Sequence, residues 1–156
     1  IGNNILQNYT FRIDFENKLF SVWNSTPEEI INSENSIKAD FQGIPTIDIL
    51  INDGSTITSW LDTGAKISYI NKDYVQHLSP SDNKRDFFPG YGEFEVPIYD
   101  IPIIFSGIKI PFKFGVLPSP LELGMLSGTT SAIIGADIFH HFTLSFDYSQ
   151  SRIYVT

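Results

Sequence analysis

The sequence predicts an all-β protein with two short helices, and three observations carry that expectation. Its 156 residues include 13 Phe and 7 Tyr, many in alternating apolar and polar runs, the residue types that suit a pleated, half-buried surface. Strong turn signals, Asn52-Asp53-Gly54 and Ser106-Gly107, separate such runs. One strand pattern also occurs twice, at the two ends of the chain.

In order, residues 24–43 are polar and carry Pro27 with several Asn and Ser. They read as a linker with one helical turn at 27–31, capped by Thr26. Residues 44–51 and 56–61 form a hairpin around Asn52-Asp53-Gly54 and lead directly into Asp62-Thr63-Gly64-Ala65. A short strand is expected at 67–70. Asn71 then caps a helix over 72–78, and 79–85 is a polar loop. Residues 87–96 are aromatic and glycine-rich around Pro89-Gly90-Tyr91-Gly92. A hairpin over 98–105 and 108–116 turns at Ser106-Gly107, and 117–130 is irregular. Residues 133–135 form a buried strand ending on glycine, and 136–141 a helical turn or two. A last hairpin pairs 143–147 with 151–155.

The bulk properties exclude several functions. Hydrophobic residues make up 42% of the chain, enough for one domain with a real core. A net charge of -8 argues against a nucleic-acid partner, which needs clustered Lys and Arg. Cysteine is absent, which removes disulfides, thiol nucleophiles and Cys-based metal sites, but fixes no compartment. No apolar run approaches the length of a membrane span, so no membrane partner is expected. The chain begins at Ile1 and reads as a fragment or a processed product. His140-His141, with Asp137 four residues before the second, is a weak metal pattern. Adjacent histidines on an exposed face are more often solvated, and neither metal nor cofactor is expected. Asn8-Tyr9-Thr10 and Asn24-Ser25-Thr26 are glycosylation sequons, relevant only in a secreted eukaryotic protein.

The repeat aligns residues 1–22 onto 134–155 without gaps. Ile1/Ile134, Gly2/Gly135, Ile5/Ile138, Thr10/Thr143, Asp14/Asp147 and Val22/Val155 are identical, and intervening positions such as Phe11/Leu144 and Phe20/Ile153 stay apolar. Two unrelated hairpins would share the alternation but not glycine, threonine and aspartate in register. Residues 1–23 are therefore read as the end of a preceding repeat, 24–43 as a linker and 44–156 as one lobe.

Chemistry concentrates in Trp60-Leu61-Asp62-Thr63-Gly64-Ala65. An apolar strand delivers Asp62 to a site poor in water. Gly64 lets the backbone turn sharply and aim N–H groups at the carboxylate, and the Thr63 hydroxyl can bond across to a second copy of the loop. Alone, Asp-Thr-Gly is weak, and an ordinary Asx turn accounts for it. The second motif, Ile133-Ile134-Gly135, follows about seventy residues later, and on its own is a buried strand with a glycine bend.

Taken together and in this order, the two motifs resemble the retropepsin-like and pepsin-like aspartic proteases, over roughly residues 44–155. The resemblance implies an acid-protease lobe, a closed β-barrel with one or two short helices. It implies that Asp62, Thr63 and Gly64 are catalytic and that Ile134 and Gly135 support them from beneath. Ala65 and a mobile flap at Gly90, Tyr91 and Gly92 would contact substrate, although a plain surface hairpin explains those glycines equally well. Retroviral members usually carry arginine where this chain has Ala136, and the longer closing hairpin looks more like pepsin-like or bacterial relatives.

Family chemistry needs two carboxylates sharing a proton across a water, and this chain has one Asp-Thr-Gly. The second is expected from an identical subunit, with two copies of Asp62 facing across an axis, or from an upstream lobe whose closing hairpin is residues 1–23, placed in a sheet joining the lobes. The expected substrate is an extended peptide or protein segment with apolar side chains beside the scissile bond. A binding or dimerisation module that keeps the fold without forming the dyad is the alternative.

Overall fold

The computed structural model describes residues 2–32, 35–126, 128 and 130–156; Ile1, the first position of the repeat, lies outside them. The protein is all-β. Its strands are β1 (Thr10–Asp14), β2 (Leu19–Trp23), β3 (Ser36–Lys38), β4 (Thr46–Ile51), β5 (Thr56–Leu61), β6 (Tyr69–Ile70), β7 (Asp82–Phe88), β8 (Gly92–Asp100), β9 (Ile103–Phe105), β10 (Ile108–Ile110), β11 (Lys113–Gly115), β12 (Ala132–Ile134), β13 (Leu144–Asp147) and β14 (Arg152–Val155). Three short helices are α1 (Asn3–Leu6), α2 (Glu28–Ile31) and α3 (Ser119–Met125), with 3-10 turns at Lys72–Tyr74 and Ala136–His140. The chain forms two compact units, Ile1–Ile47 with Ile138–Thr156, and Asp48–Asp137.

The first unit is a five-stranded sheet in the order β2-β1-β13-β14-β3. Both repeat hairpins lie in it, side by side. Arg12 aligns with Ser145 in the repeat and also pairs with it across β1 and β13, with Phe11 opposite Phe146 and Ile13 opposite Leu144. The two copies are thus related by a local two-fold through Arg12 and Ser145. Their turns match in detail. Asp14 accepts the backbone N–H of Asn17 at 2.9 Å, and Asp147 accepts that of Gln150 at 3.0 Å. Lys18 (φ 56) and Ser151 (φ 51), aligned in the repeat, both adopt the left-handed backbone that closes a tight hairpin. The shared aspartate therefore has a structural task at the turn.

Two expectations change in the linker. Residues 36–38 form β3, paired with β14 from Arg152↔Lys38 to Tyr154↔Ser36. Thr26 does not cap α2, whose N-cap is Pro27 without a side-chain bond. Its hydroxyl lies 2.6 Å from that of Thr10 and donates to the buried Asp147. Burial pushes the Asp147 carboxyl up, but hydrogen bonds led by that from Thr26 outweigh it and hold the group below the ordinary carboxylate value.

The second unit carries the order β10-β9-β4-β5-β12-β6-β11-β8-β7, in which β4 enters from the first unit. The Asn52-Asp53-Gly54 turn is present, with Gly54 at φ 87. At the β9–β10 hairpin Ser106 (φ 50) and Gly107 (φ 78) are both left-handed, as a two-residue turn between twisted strands requires. The expected hairpin of 98–105 with 108–116 divides: β9 pairs with β10, and β11 pairs with β8. Of the polar loop expected at 79–85, residues 82–85 are instead the start of edge strand β7. The irregular stretch 117–130 contains α3, held by buried Leu121 and Glu122. Asn71 does accept the Asp73 N–H as a cap, but over a single 3-10 turn.

Candidate functional site

The sheet order explains the loop that carries Asp62. Strands β5 and β6 follow one another in sequence, yet β12 lies between them, parallel to β5 and antiparallel to β6. Leu61 pairs with Ile134 at the ends of β5 and β12. The chain must therefore pass from one side of β12 to the other just beyond Ile134, and residues 62–68 make that crossing over Gly135.

The crossing is fastened on both sides. The Asp62 N–H donates to the Ile134 carbonyl at 2.9 Å, and the Ala136 N–H donates to the Ala65 carbonyl at 2.8 Å. A Cβ on residue 135 would lie 2.6 Å from that carbonyl oxygen, so glycine is required there by close backbone approach. Ile133 and Ile134 are fully buried. Within the loop, the Ala65 N–H donates to the Asp62 carbonyl at 3.1 Å, and the Gly64 N–H donates to Asp62 Oδ1 at 2.8 Å. The second carboxylate oxygen has no hydrogen-bond partner among the described residues, and neither has the Thr63 hydroxyl. Asp62 is half-buried, while Thr63 and Gly64 are exposed. The loop thus carries a half-buried carboxylate and an exposed hydroxyl on a hydrogen-bonded base.

A polar group that the motifs did not flag completes the base. Ser68, fully buried, accepts the Gly135 N–H at 2.8 Å and donates to Asp137 Oδ1 at 2.5 Å. The Ser68 N–H reaches Asp137 Oδ2 at 3.3 Å. Burial drives the Asp137 carboxyl above its ordinary value, against the lowering effect of the Ser68 hydrogen bonds. The available sequence signal was a serine inside the otherwise apolar run Ile67-Ser68-Tyr69-Ile70.

Gly90 and Tyr91 lie in the turn of the β7–β8 hairpin, and Gly92 opens β8 opposite Phe88. Gly90 (φ 86) and Gly92 (φ 101) are left-handed, and the Tyr91 N–H closes the turn on the Phe88 carbonyl at 3.0 Å. Tyr91 is exposed and meets Phe94 edge-on at 5.6 Å. The structure thus brings Asp62, Thr63, Gly64, Ala65, Ile134 and Gly135 into one bonded cluster. The hairpin tip joins them by no hydrogen bond among the described residues. Both hairpin and loop rest on one apolar cluster, in which Ile67, Val96, Ile98 and Ile133 are buried and Ala65, Phe88 and Phe94 pack against them. His140 stacks edge-on to Phe15 at 5.6 Å. Among the described residues no group of three or more His, Asp or Glu is placed to hold a metal, and no helix is long and apolar enough to cross a membrane.

No family model matches the chain, and no curated protein matches it. Among solved structures it is similar to the protease of simian foamy virus (mac), with 14% identity and a TM-score of 0.44 over 59% of this chain and 88% of that one. It is also similar to the EIAV protease complexed with the inhibitor HBY-793, with 23% identity and a TM-score of 0.47 over 65% of this chain and 90% of that one.

Proposed function

We propose that this chain is one lobe of an aspartic endopeptidase, with Asp62 as one of two carboxylates that activate a water. The observation that carries the reading is the crossing loop. Asp62, Thr63 and Gly64 stand on a base fixed by backbone bonds to Ile134 and Ala136, with one carboxylate oxygen and the exposed Thr63 hydroxyl unbonded among the described residues. That is half of a two-fold site. Across from a second such loop, two close carboxylates cannot both ionise cheaply, so they share one proton. The ionised member takes a proton from water as it attacks the peptide carbonyl, and the protonated member donates to the carbonyl oxygen. The Thr63 hydroxyl bonds across to the second loop and fixes the spacing. The β7–β8 hairpin acts as the flap, with Gly90, Tyr91 and Gly92 at its tip, and covers an extended peptide with apolar side chains. Exposed Tyr91 suits that substrate.

The second carboxylate comes from another copy of the lobe, in an identical subunit or upstream in the same polypeptide. One observation favours the upstream copy. The edge of β13 nearest the local two-fold is occupied by β1 of the same chain, so two identical chains cannot meet by pairing that edge with itself.

The test is peptide cleavage by the chain and by Asp62→Asn, from acidic to neutral pH and over a range of protein concentration. Cleavage that is lost in Asp62→Asn with unchanged circular dichroism supports the reading, and a rate rising with the square of concentration assigns the partner to an identical subunit. Cleavage that survives Asp62→Asn refutes it. No cleavage under any condition, even after adding an upstream lobe, selects the binding module.

A further inference from the structure

The flap ribbon alternates along its length. Asp86, Phe88, Phe94 and Val96 are sheltered, whereas Arg85, Phe87, Glu93 and Glu95 are exposed. Phe88, Phe94 and Val96 belong on an inner face, since they pack on the apolar cluster. A carboxylate among them, with Asp86 directly opposite Phe94, is costly unless it is bonded. Its partner is the hydroxyl of Tyr69, which donates to Asp86 Oδ2.

Tyr69 is buried on β6, immediately after the loop that carries Asp62. Its ring is confined by Gly115, where an added Cβ would meet ring carbon Cε1 at 3.0 Å. Burial, reinforced by the adjacent carboxylate, drives its hydroxyl upward, so it remains a donor over the whole working range of pH. Beside the packing of Phe88, Phe94 and Val96, the ribbon has few polar ties. Strand β8 pairs with β11 only from Ile98 to Asp100, and the Val116 N–H reaches it at the Pro97 carbonyl. Among the described residues, Tyr69–Asp86 is the one hydrogen bond between residues 82–96 and another element.

We infer that Tyr69 and Asp86 are positioning residues that set how closely the flap lies over the Asp62 loop. The inference rests on the protease reading for its functional meaning, but its test does not need catalysis. The chain has no cysteine, so spin labels can be placed cleanly through Ser55→Cys and Glu93→Cys, both at exposed positions of the same unit. Pulsed electron paramagnetic resonance on the full chain then reads the distance between flap and body.

Tyr69→Phe and Asp86→Ala are expected to raise the population of a lifted flap about tenfold, as loss of a hydrogen bond to a charged group implies. Their combination should do no more than either alone. Asp86→Asn keeps an acceptor oxygen and should restore most of the parent distribution. Parent-like distances in Tyr69→Phe, or an Asp86→Asn protein as disordered as Asp86→Ala, would overturn the inference. With a cleaved peptide, the same variants should raise KM about tenfold and leave kcat within a few-fold. If neither parent nor variant cleaves, even after adding an upstream lobe, the protease reading falls while the distance measurement still decides the tie.

Discussion

Replacing Gly135 by alanine adds one carbon where the crossing loop leaves no room. The new Cβ would stand 2.6 Å from the Ala65 carbonyl oxygen and 3.2 Å from the backbone carbon and oxygen of Ile67. Each neighbour is main chain and cannot rotate aside. To reach ordinary contact at 3.4 Å, the Ala65 carbonyl must retreat by about 0.8 Å. That movement stretches its 2.8 Å bond from Ala136. Overpacking costs about 1–3 kcal/mol, and the weakened hydrogen bond adds about 1 kcal/mol, for a total near 3 kcal/mol. Gly124 is the internal control. It lies inside α3, an added Cβ there meets nothing within 4 Å, and its φ is not left-handed. Alanine at 124 should stabilise by roughly 0.5–1 kcal/mol. Urea unfolding followed by tryptophan fluorescence measures both. With a slope of about 1–3 kcal/mol per molar, the Gly135→Ala midpoint falls by about 1–3 M and the Gly124→Ala midpoint rises slightly. A Gly135→Ala midpoint equal to that of the parent would refute the claim that close approach fixes this glycine.

Two further perturbations address the buried polar groups. The raised Asp137 carboxyl binds its proton more tightly folded than unfolded, so its contribution to stability is full below the ordinary value of 3.8 and is lost as pH rises through the folded value. The stability of the parent relative to Asp137→Asn should therefore fall as pH increases above about 4, and a difference that rises with pH contradicts the assignment. In the first unit, Thr26→Val removes the bonds to Thr10 and Asp147 and should cost about 1–3 kcal/mol. Thr26→Ser keeps the hydroxyl and should cost much less, as compared by thermal unfolding.

Local chemistry made much of the architecture legible. Asn52-Asp53-Gly54 and Ser106-Gly107 fix hairpins because their backbones tolerate left-handed φ, and the repeat located the first-unit hairpins because glycine, threonine and aspartate recur in register. The elements that sequence reading missed are those decided by distant partners. Asp82–Phe88 opens with five polar residues and looks like a loop, and it is a strand because β8 supplies a full antiparallel register from Asp82↔Ile98 to Phe88↔Gly92. The α3 helix carries Pro120 and Gly124, both weak helix formers. It is held by burial of Leu121 and by Glu122, which accepts the Lys72 N–H at 2.8 Å. At the site, Asp62 to Ala65 and Ile134-Gly135 were legible as motifs. Their contact was not, because it follows from β12 inserting between β5 and β6. Ser68, Tyr69 and Asp86 lie in no motif, and Asp137 was read only as part of a weak metal pattern; their pairing appears only when strands far apart in sequence come together.

The pairing of β1 with β13 also bears on the order in which the protein assembles. The first unit cannot complete its sheet until residues 144–155 have left the ribosome, since β13 and β14 supply its central and neighbouring strands. The unit Asp48–Asp137 holds all its own partners apart from β4's first residues, and is finished earlier in synthesis. Once folded, it brings its two ends together and shortens the effective loop that β1 and β13 must close, which lowers the entropic barrier to that distant pairing. Until then β1 lacks β13, its neighbour in the finished sheet, and Leu19, Phe20 and Val22 stay exposed even there.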